Sequence, residues 1–355
     1  MRTQKLIVAG LLAVAVSAGA CKKSEKKVDP AAPPAPTAAT GTTAEQPAPG
    51  MAAPGAGPVG TIADDLSLIP VDSEVVMGLN FAQVQTSALW KQFVEPQMMK
   101  GDFQQKLGQF KAKCGFDPMA AIQTMSMGMK GVGGDKPDGV IIVRGVDKAK
   151  SLACLDTMKA EAAKSGDEIT RDGDVVLVKS NTGDTVALTF VNDTTAFAVI
   201  GPQATVAGVK QAALGGSTLK SSPAFVEMYG KIKTGQSMWL LVNGNTKAFD
   251  KAAAMGVKPK AVFGSINITD GLSIDMRMRV DSPDQATQMA TAFRGQAEAM
   301  KSMVDQLDIT SEASDVKVGL SLSSQKLQSL VAMVGGMFGG GMGGGRGGSM
   351  GGGTP

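Results

Sequence analysis

The chain has 355 residues, with 35 Lys and Arg, 32 Asp and Glu, no histidine and a formal net charge of +3. Such a near-neutral balance lacks the positive field with which proteins bind nucleic acid, so no nucleic-acid partner is expected. The lack of histidine excludes Ser-His-Asp and Cys-His catalysis.

The first twenty residues are typical of a bacterial export signal. Basic Arg2 and Lys5 precede an apolar run over 6–16 and small residues over 17–20. The run is about half as long as the ~20 residues of a membrane-spanning helix. The sequence therefore predicts a signal peptide over 1–20 and a mature chain that begins at Cys21.

A cysteine directly after such a signal resembles the lipobox of bacterial lipoproteins. The resemblance implies that the Cys21 thiol carries a diacylglyceryl group, which makes a membrane the expected partner. Ala18, Gly19 and Ala20 also form the A-x-A site of ordinary secretion, so export without a lipid is the alternative. The lysines that follow Cys21 would add attraction to anionic headgroups. In such lipoproteins, aspartate after the cysteine is associated with the inner membrane, so Lys22 favours the outer membrane of the cell envelope.

Two compositionally biased segments flank the centre of the chain. Residues 21–60 are rich in Ala, Pro, Thr and Gly without apolar periodicity, which predicts a disordered tether with polyproline character. At about 3.1 Å per residue, such a tether reaches on the order of 100 Å. Residues 335–355 are mostly glycine with interspersed methionine, which predicts a disordered tail.

The central residues alternate strand and helix patterns. In the first half, 61–215, we expect strands at 75–79, 125–129, 140–143, 175–178, 185–191 and 195–200, and helices at 87–94, 104–113, 148–164 and 204–214. In the second half, 216–334, we expect strands at 238–242, 262–268, 272–280 and 316–322, and helices at 283–306 and 325–334. The pattern predicts an α+β fold: two similar halves of mostly antiparallel sheet with helices on one face, side by side or merged into a longer sheet.

Short sequence matches between the halves indicate an internal duplication. Residues 160–165 recur at 297–302 with one difference. Three further pairs keep the same order along the chain: Asp138-Gly139 with Asp270-Gly271, Ile169-Thr170 with Ile309-Thr310, and Asp174-Val175 with Asp315-Val316. The common order favours an internal repeat over chance matches in an alanine-rich chain.

Cys114 and Cys154 remain as an even pair once Cys21 is set aside. Exported proteins tend to pair such thiols, so we predict a Cys114–Cys154 disulfide. The alternative is two small buried side chains that never approach each other. Neither cysteine belongs to a C-x-x-C unit, so no zinc or thioredoxin-like site is expected.

Methionines alternate along two predicted strands, at Met125, Met127 and Met129 and at Met276 and Met278. Thioethers bind Cu(I), which leaves a metal carrier as an alternative. Residues at i, i+2 and i+4 share one strand face, however, and methionine fills irregular cores well. We therefore interpret these methionines as core and assign no metal site.

Two aspartate pairs, Asp64 with Asp65 and Asp172 with Asp174, leave a carboxylate-based enzyme as a further alternative. Aspartate is favoured in tight turns for backbone hydrogen bonding, and the twelve-residue calcium loop is missing. We therefore assign no catalytic residue and no cofactor.

The stretch 68–80, followed by Ser87-Ala-Leu-Trp90, resembles the start of uncharacterised exported lipoproteins of Gram-negative bacteria. That resemblance implies a location and no activity. We expect a membrane-anchored envelope lipoprotein with a non-catalytic binding or structural role, and we expect an envelope protein as its partner. The alternatives are a periplasmic carrier of a ligand or Cu(I), and the carboxylate enzyme. A carrier should have a pocket between the halves, and an interaction protein should have an apolar patch.

Overall fold

A computed structural model describes residues 62–98, 102–132, 137–250 and 258–329. The predicted signal peptide, the predicted lipid attachment site Cys21, the predicted tether and the predicted tail lie outside these residues.

The described residues form a single antiparallel sheet of twelve strands, in the order β11-β12-β10-β9-β8-β1-β2-β3-β7-β6-β5-β4. The strands are β1 Val75–Asn80, β2 Thr124–Lys130, β3 Asp138–Arg144, β4 Glu168–Asp172, β5 Val175–Lys179, β6 Thr185–Asn192, β7 Thr195–Ile200, β8 Met238–Asn243, β9 Ala261–Ile268, β10 Gly271–Arg279, β11 Gln306–Glu312 and β12 Asp315–Ser323. The fold is thus mixed helix and antiparallel sheet, as predicted.

Strand β1 joins the two halves, so that they are merged into one long sheet and do not form two sheets side by side. Met77 of β1 lies opposite Met127 of β2 on one side and opposite Leu240 of β8 on the other. Strands β2 to β7 therefore extend in one direction from β1, and strands β8 to β12 extend in the other.

Helices lie on both faces of this sheet, so the expectation of helices on one face was wrong. The helices are α1 Ile62–Asp65, α2 Phe81–Thr86, a π-helix Trp90–Val94, α3 Glu95–Met98, α4 Asp102–Cys114, α5 Pro118–Ala121, α6 Lys148–Ser165, α7 Val206–Ala213, α8 Pro223–Tyr229 and α9 Pro283–Ala297, with 3-10 turns Leu219–Ser221, Lys247–Phe249 and Glu298–Met303 and a helical segment over 324–329.

Each sheet face has its own helices and its own core. We call one face the tryptophan face because it carries Trp239, and here α7 and α8 pack over Val140 and Ile142. We call the other the methionine face because it carries Met127, and here α2 and α6 cover its first half and α9 covers its far edge. The apolar run 140–143 is buried on both faces, which is why it does not alternate.

Helix α6 is fixed at both ends. The Asp147 side chain caps its start by accepting a hydrogen bond from the Lys150 amide at 2.8 Å, and Gly166 ends it at φ 81° in the left-handed region. Between these caps, Leu152 and Met158 are buried against strands β4 and β5 with Ile169 and Val176. The caps set the two ends of α6, and these contacts hold the helix against the methionine face.

The two edge strands, β4 and β11, were missing from the sequence-based expectation. The helix expected over 283–306 ends at Ala297, and a 3-10 turn then leads into β11. Each edge strand buries one residue, Ile169 in β4 and Ile309 in β11, while most of its neighbours are exposed. Polar edge strands of this kind resist edge-to-edge aggregation, and they carry little apolar pattern.

Candidate functional site

The structure brings the two predicted partner cysteines to disulfide distance. Cys114 is the last residue of α4 and Cys154 lies in α6, with the sulfur atoms 1.96 Å apart. Phe110 and Phe116, which flank Cys114, pack edge to face at 5.5 Å and contact the same core beneath α6. A bond here holds α4 against α6.

The first predicted carboxylate pair is divided by burial. Asp64 is exposed, whereas Asp65 is buried and forms an ion pair with Arg144 of β3. Arg144 Nε donates to Asp65 Oδ1 at 2.8 Å, and the Ser126 hydroxyl donates to Oδ2 at 2.7 Å. Burial raises the pKa of the Asp65 carboxyl, and the hydrogen bonds from Arg144 and Ser126 oppose that rise. The pair ties α1 to the sheet on the tryptophan face.

The second predicted carboxylate pair lies in a hairpin turn. Asp172 ends β4, Gly173 adopts φ 63°, and Asp174 precedes β5. Lys148 Nζ lies 2.7 Å from Asp174 Oδ2, and this hydrogen bond lowers the pKa of the Asp174 carboxyl. Throughout the described part of the chain, no group of three or more Cys, Asp or Glu side chains is placed to hold a metal ion.

The alternating methionines lie on one sheet face but in two separate places. Met125 and Met127 of β2 are buried in the core beneath α2, with Phe81. Met278 of β10 packs in the core beneath α9. Strands β1, β8 and β9 separate the two sets, which is about 19 Å at ~4.8 Å per strand. The two sets therefore do not converge on one thioether site.

The methionine face carries an apolar side chain at nearly every position in a row that crosses the sheet. Starting at β10, successive paired residues of the row are Met276, Gly264, Leu240, Met77, Met127, Ile141, Ala198, Leu188 and Val176. The row is continuous because every strand is antiparallel and in register with its neighbour. It spans about 38 Å at ~4.8 Å per strand.

One part of this face, which we call the apolar strip, has side chains that are only partly buried. It lies between α6, which packs on β4, and α9, which packs on β11 and β12, and at its β1 edge Met77 and Leu79 also pack against the core beneath α2. The strip consists of Val75, Met77 and Leu79 of β1, Met238, Leu240 and Val242 of β8, Val262, Ile266 and Ile268 of β9, and Leu272, Ile274 and Met276 of β10. No charged side chain of these strands points to this face.

A cavity of about 50 Å³ lies on the same face beneath α6. Strands β3, β5, β6 and β7 form its floor, and Ser151 and Leu155 of α6 form its roof. Its lining residues are Ile141, Val143, Val146, Ser151, Leu155, Val176, Val178, Leu188, Phe190, Ala196 and Ala198. Leu155, Val178, Leu188 and Phe190 are partly exposed, so the cavity opens to the surface at that side.

Ser151 supplies the one side-chain polar group among the residues that line this cavity. Its side chain is 6% exposed, and its Oγ makes no hydrogen bond to any described residue. Buried hydroxyls in proteins are nearly always hydrogen-bonded. The cavity therefore combines an apolar wall with one unpaired hydroxyl.

The tryptophan face carries a charged network at β10 and β12. Arg279 of β10 binds Asp315 of β12 at 2.7 Å and Glu227 of α8 at 2.8 Å, and Lys231 lies 2.8 Å from Asp315. The hydrogen bonds from Arg279 and Lys231 lower the pKa of Glu227 to about 2. They also hold the pKa of the Asp315 carboxyl below its usual range, against the desolvation that raises it. This network fixes α8 to the sheet.

A polar groove of about 290 Å³ lies near the β2–β3 hairpin on the tryptophan face. Lys130 lies there between two carboxylates, 3.1 Å from Asp72 and 3.4 Å from Asp138. The hydrogen bond to Asp72 raises the pKa of Lys130. The three charges are therefore already paired with one another.

Comparisons with protein-family models, with curated proteins and with solved structures returned no match to this chain. Within the residues that the structure describes, no helix has the length and apolar character to cross a membrane.

Sequence reasoning did not identify the cavity or Ser151. The apolar residues on the floor of the cavity were predicted as strand residues. Their grouping depends on the strand order β3-β7-β6-β5, which joins segments distant in sequence. Ser151 gave no signal of its own, because a serine in the first turns of a helix is ordinary. The strip was equally hidden, because it combines β1 of the first half with three strands of the second.

Proposed function

We propose that this protein is a membrane-anchored, non-catalytic binding protein of the bacterial envelope, exported and held at the outer membrane through a lipid on Cys21. The observation that carries the binding role is the apolar strip on the methionine face. The signal-like residues 1–20 and the cysteine that follows them support export and anchoring.

The size of the strip supports a binding role. Four strands at ~4.8 Å spacing and a strand length of about 17–20 Å give the strip a gross footprint of roughly 300 Å², of which a part is exposed because each of its side chains is partly buried. Apolar patches of about 300–600 Å² on single chains are often functional surfaces. A partner with an apolar contact surface, such as an envelope protein or an apolar ligand, fits this strip better than a charged one.

The chemistry of the two faces of β10 supports the same conclusion. Ile274, Met276 and Met278 point to the methionine face, while Arg277 and Arg279 point to the opposite face and bind Glu312 and Asp315. The charged side chains of β10 are thus occupied in ion pairs within the protein. The apolar ones at the strip are left to contact a partner.

We also propose that the two halves arose by duplication. The repeated sequence pairs fall at similar places: Asp138-Gly139 begins β3 and Gly271 of Asp270-Gly271 begins β10, α6 and α9 follow, and Ile169 and Ile309 are the buried residues of β4 and β11. The first half differs by the hairpin β6–β7, which lies between β3 and β5, whereas β12 pairs directly with β10. Superposition of β3-α6-β4-β5 on β10-α9-β11-β12 tests this proposal.

The anchor is tested by labelling cells with radioactive palmitate. The wild-type chain should incorporate label and sediment with membranes, and the Cys21→Ser variant should do neither. Membrane sedimentation of unlabelled Cys21→Ser to the wild-type extent would refute the lipid anchor.

The strip is tested by placing a photo-crosslinking amino acid at single positions in cells. Leu240 and Met276 sample the strip, and exposed Ser273 of β10 samples the opposite face as a matched control. We expect a defined adduct from both strip positions and none from position 273. Equal adducts from both faces, or no adduct from the strip, would refute binding through the strip.

A further inference from the structure

We infer that the cavity beneath α6 binds an aliphatic chain that carries one neutral hydrogen-bonding group, the chemistry of an alcohol or ester of a neutral lipid. This inference rests on the proposed binding function and names a ligand class for one part of the methionine face. It uses different residues from the apolar strip, so the two can fail separately.

The unpaired hydroxyl points to a ligand with one polar atom. Ser151 Oγ is buried at the cavity roof without a hydrogen-bond partner among the described residues. A water molecule in such a place needs two to four polar partners, and the cavity lining offers a single side-chain hydroxyl. A ligand oxygen can pair with Ser151 while the rest of the ligand replaces water along the apolar wall.

The lining excludes a charged head group. No Lys, Arg, Asp or Glu lines the cavity. A carboxylate or phosphate bound at Ser151 would be desolvated without a counter-charge, which is strongly unfavourable. An alcohol or ester oxygen has no such penalty.

The shape of the cavity favours a narrow chain over a ring system. Its volume of about 50 Å³ is smaller than the ~150 Å³ cavity known to hold benzene in an engineered protein. It is bounded by Ile141 and Ala198 on the inside, and Leu188 and Phe190 are partly exposed at its mouth. A straight chain can enter there and place its remaining methylenes along these rim side chains.

The test uses the exported chain with Cys21→Ser, purified without detergent, and 1-octanol and octanoate as probes. Binding is followed by calorimetry and by methyl NMR shifts. We expect octanol to shift the methyl signals of Leu155 and Leu188 and to leave those of Leu241, on the tryptophan face, in place. Octanoate at pH 8 should bind at least tenfold more weakly.

Two variants report on the cavity itself. Ser151→Ala should weaken octanol binding about fivefold, as expected for one hydrogen bond, without loss of folding, because the deleted hydroxyl has no partner among the described residues. Thr157→Ala removes an exposed hydroxyl from the same helix and should leave octanol affinity unchanged. Ala198→Leu should fill the cavity and abolish the shifts at Leu155.

Three outcomes would overturn the inference: equal affinity for octanol and octanoate, equal octanol affinity in wild type and Ser151→Ala, or shifts at Leu240 without shifts at Leu155. The last outcome would move ligand binding to the apolar strip and leave the proposed binding function intact. If the strip gives no crosslink while octanol still binds at the cavity, binding through the strip is refuted and the inferred ligand of the cavity stands.

Discussion

The buried ion pair between Asp65 and Arg144 gives the sharpest stability prediction. Their side chains are 1% and 6% exposed, and the pair joins α1 to β3. Asp65→Ala leaves the guanidinium buried, and among the described residues its remaining hydrogen bond is the 3.4 Å contact to Thr195. Because arginine does not lose its proton in proteins, we expect Asp65→Ala to destabilise the fold by about 3–5 kcal/mol.

Removal of the other partner of the ion pair should destabilise the fold less. This difference between the two variants is the main point of the prediction. Arg144→Met leaves the Asp65 carboxyl buried, but that carboxyl can take up a proton, since burial raises its pKa. A raised pKa stabilises the folded state below the unfolded value of about 3.9 and loses that contribution as pH rises. The Arg144→Met variant should therefore gain stability relative to wild type as the pH is lowered from 7 towards 4.

The assay is urea unfolding followed by the fluorescence of buried Trp239, which lies on the same sheet face. The double variant Asp65→Ala/Arg144→Met should be more stable than Asp65→Ala, because no unpaired charge remains. Lys148→Met breaks the half-exposed pair with Asp174 and should cost about 1 kcal/mol or less. A loss for Asp65→Ala no larger than that of Lys148→Met, or strictly additive losses in the double variant, would refute the reasoning.

Three further predictions concern other parts of the fold. Cys154→Ala removes the link across 40 residues and should lower the free energy of unfolding by about 4 kcal/mol. Non-reducing mass spectrometry of the wild type should give a mass two hydrogens below that of the reduced chain. Glu227 has its pKa lowered to about 2 by Arg279 and Lys231, so its contribution is present above pH ~4.3 and is lost towards pH 2. The melting temperatures of wild type and Glu227→Gln should therefore converge as the pH falls, and a constant difference would contradict this. Gly78→Ala places a Cβ 2.3 Å from the Trp239 indole and should destabilise the protein. Gly108→Ala in α4 meets no atom within 4 Å and should stabilise the protein by up to about 1 kcal/mol. Thermal unfolding measures both effects.

Much of the secondary structure could be predicted, because apolar periodicity is a local property. Strands β2, β3 and β7 and helix α6 have strong periodic or continuous apolar patterns, and the structure has them close to the expected bounds. Strands β4 and β11 have almost none, because an edge strand with polar neighbours buries one residue. Helix α8 was missed as well, since only Phe225 and Met228 of it are buried.

The sequence by itself determined the mixed helix and antiparallel sheet, the even pair of cysteines and the placement of methionine on one face of β2. These features depend on the two-residue repeat of strands, the 3.6-residue repeat of helices and the count of thiols. Only the tertiary structure decided that the halves share one sheet through β1, that helices cover both faces, and that Asp65 meets Arg144. The apolar strip and the Ser151 cavity were likewise decided only by the tertiary structure. Each depends on pairing between strands far apart in sequence, and a local pattern carries no information on which strands become neighbours.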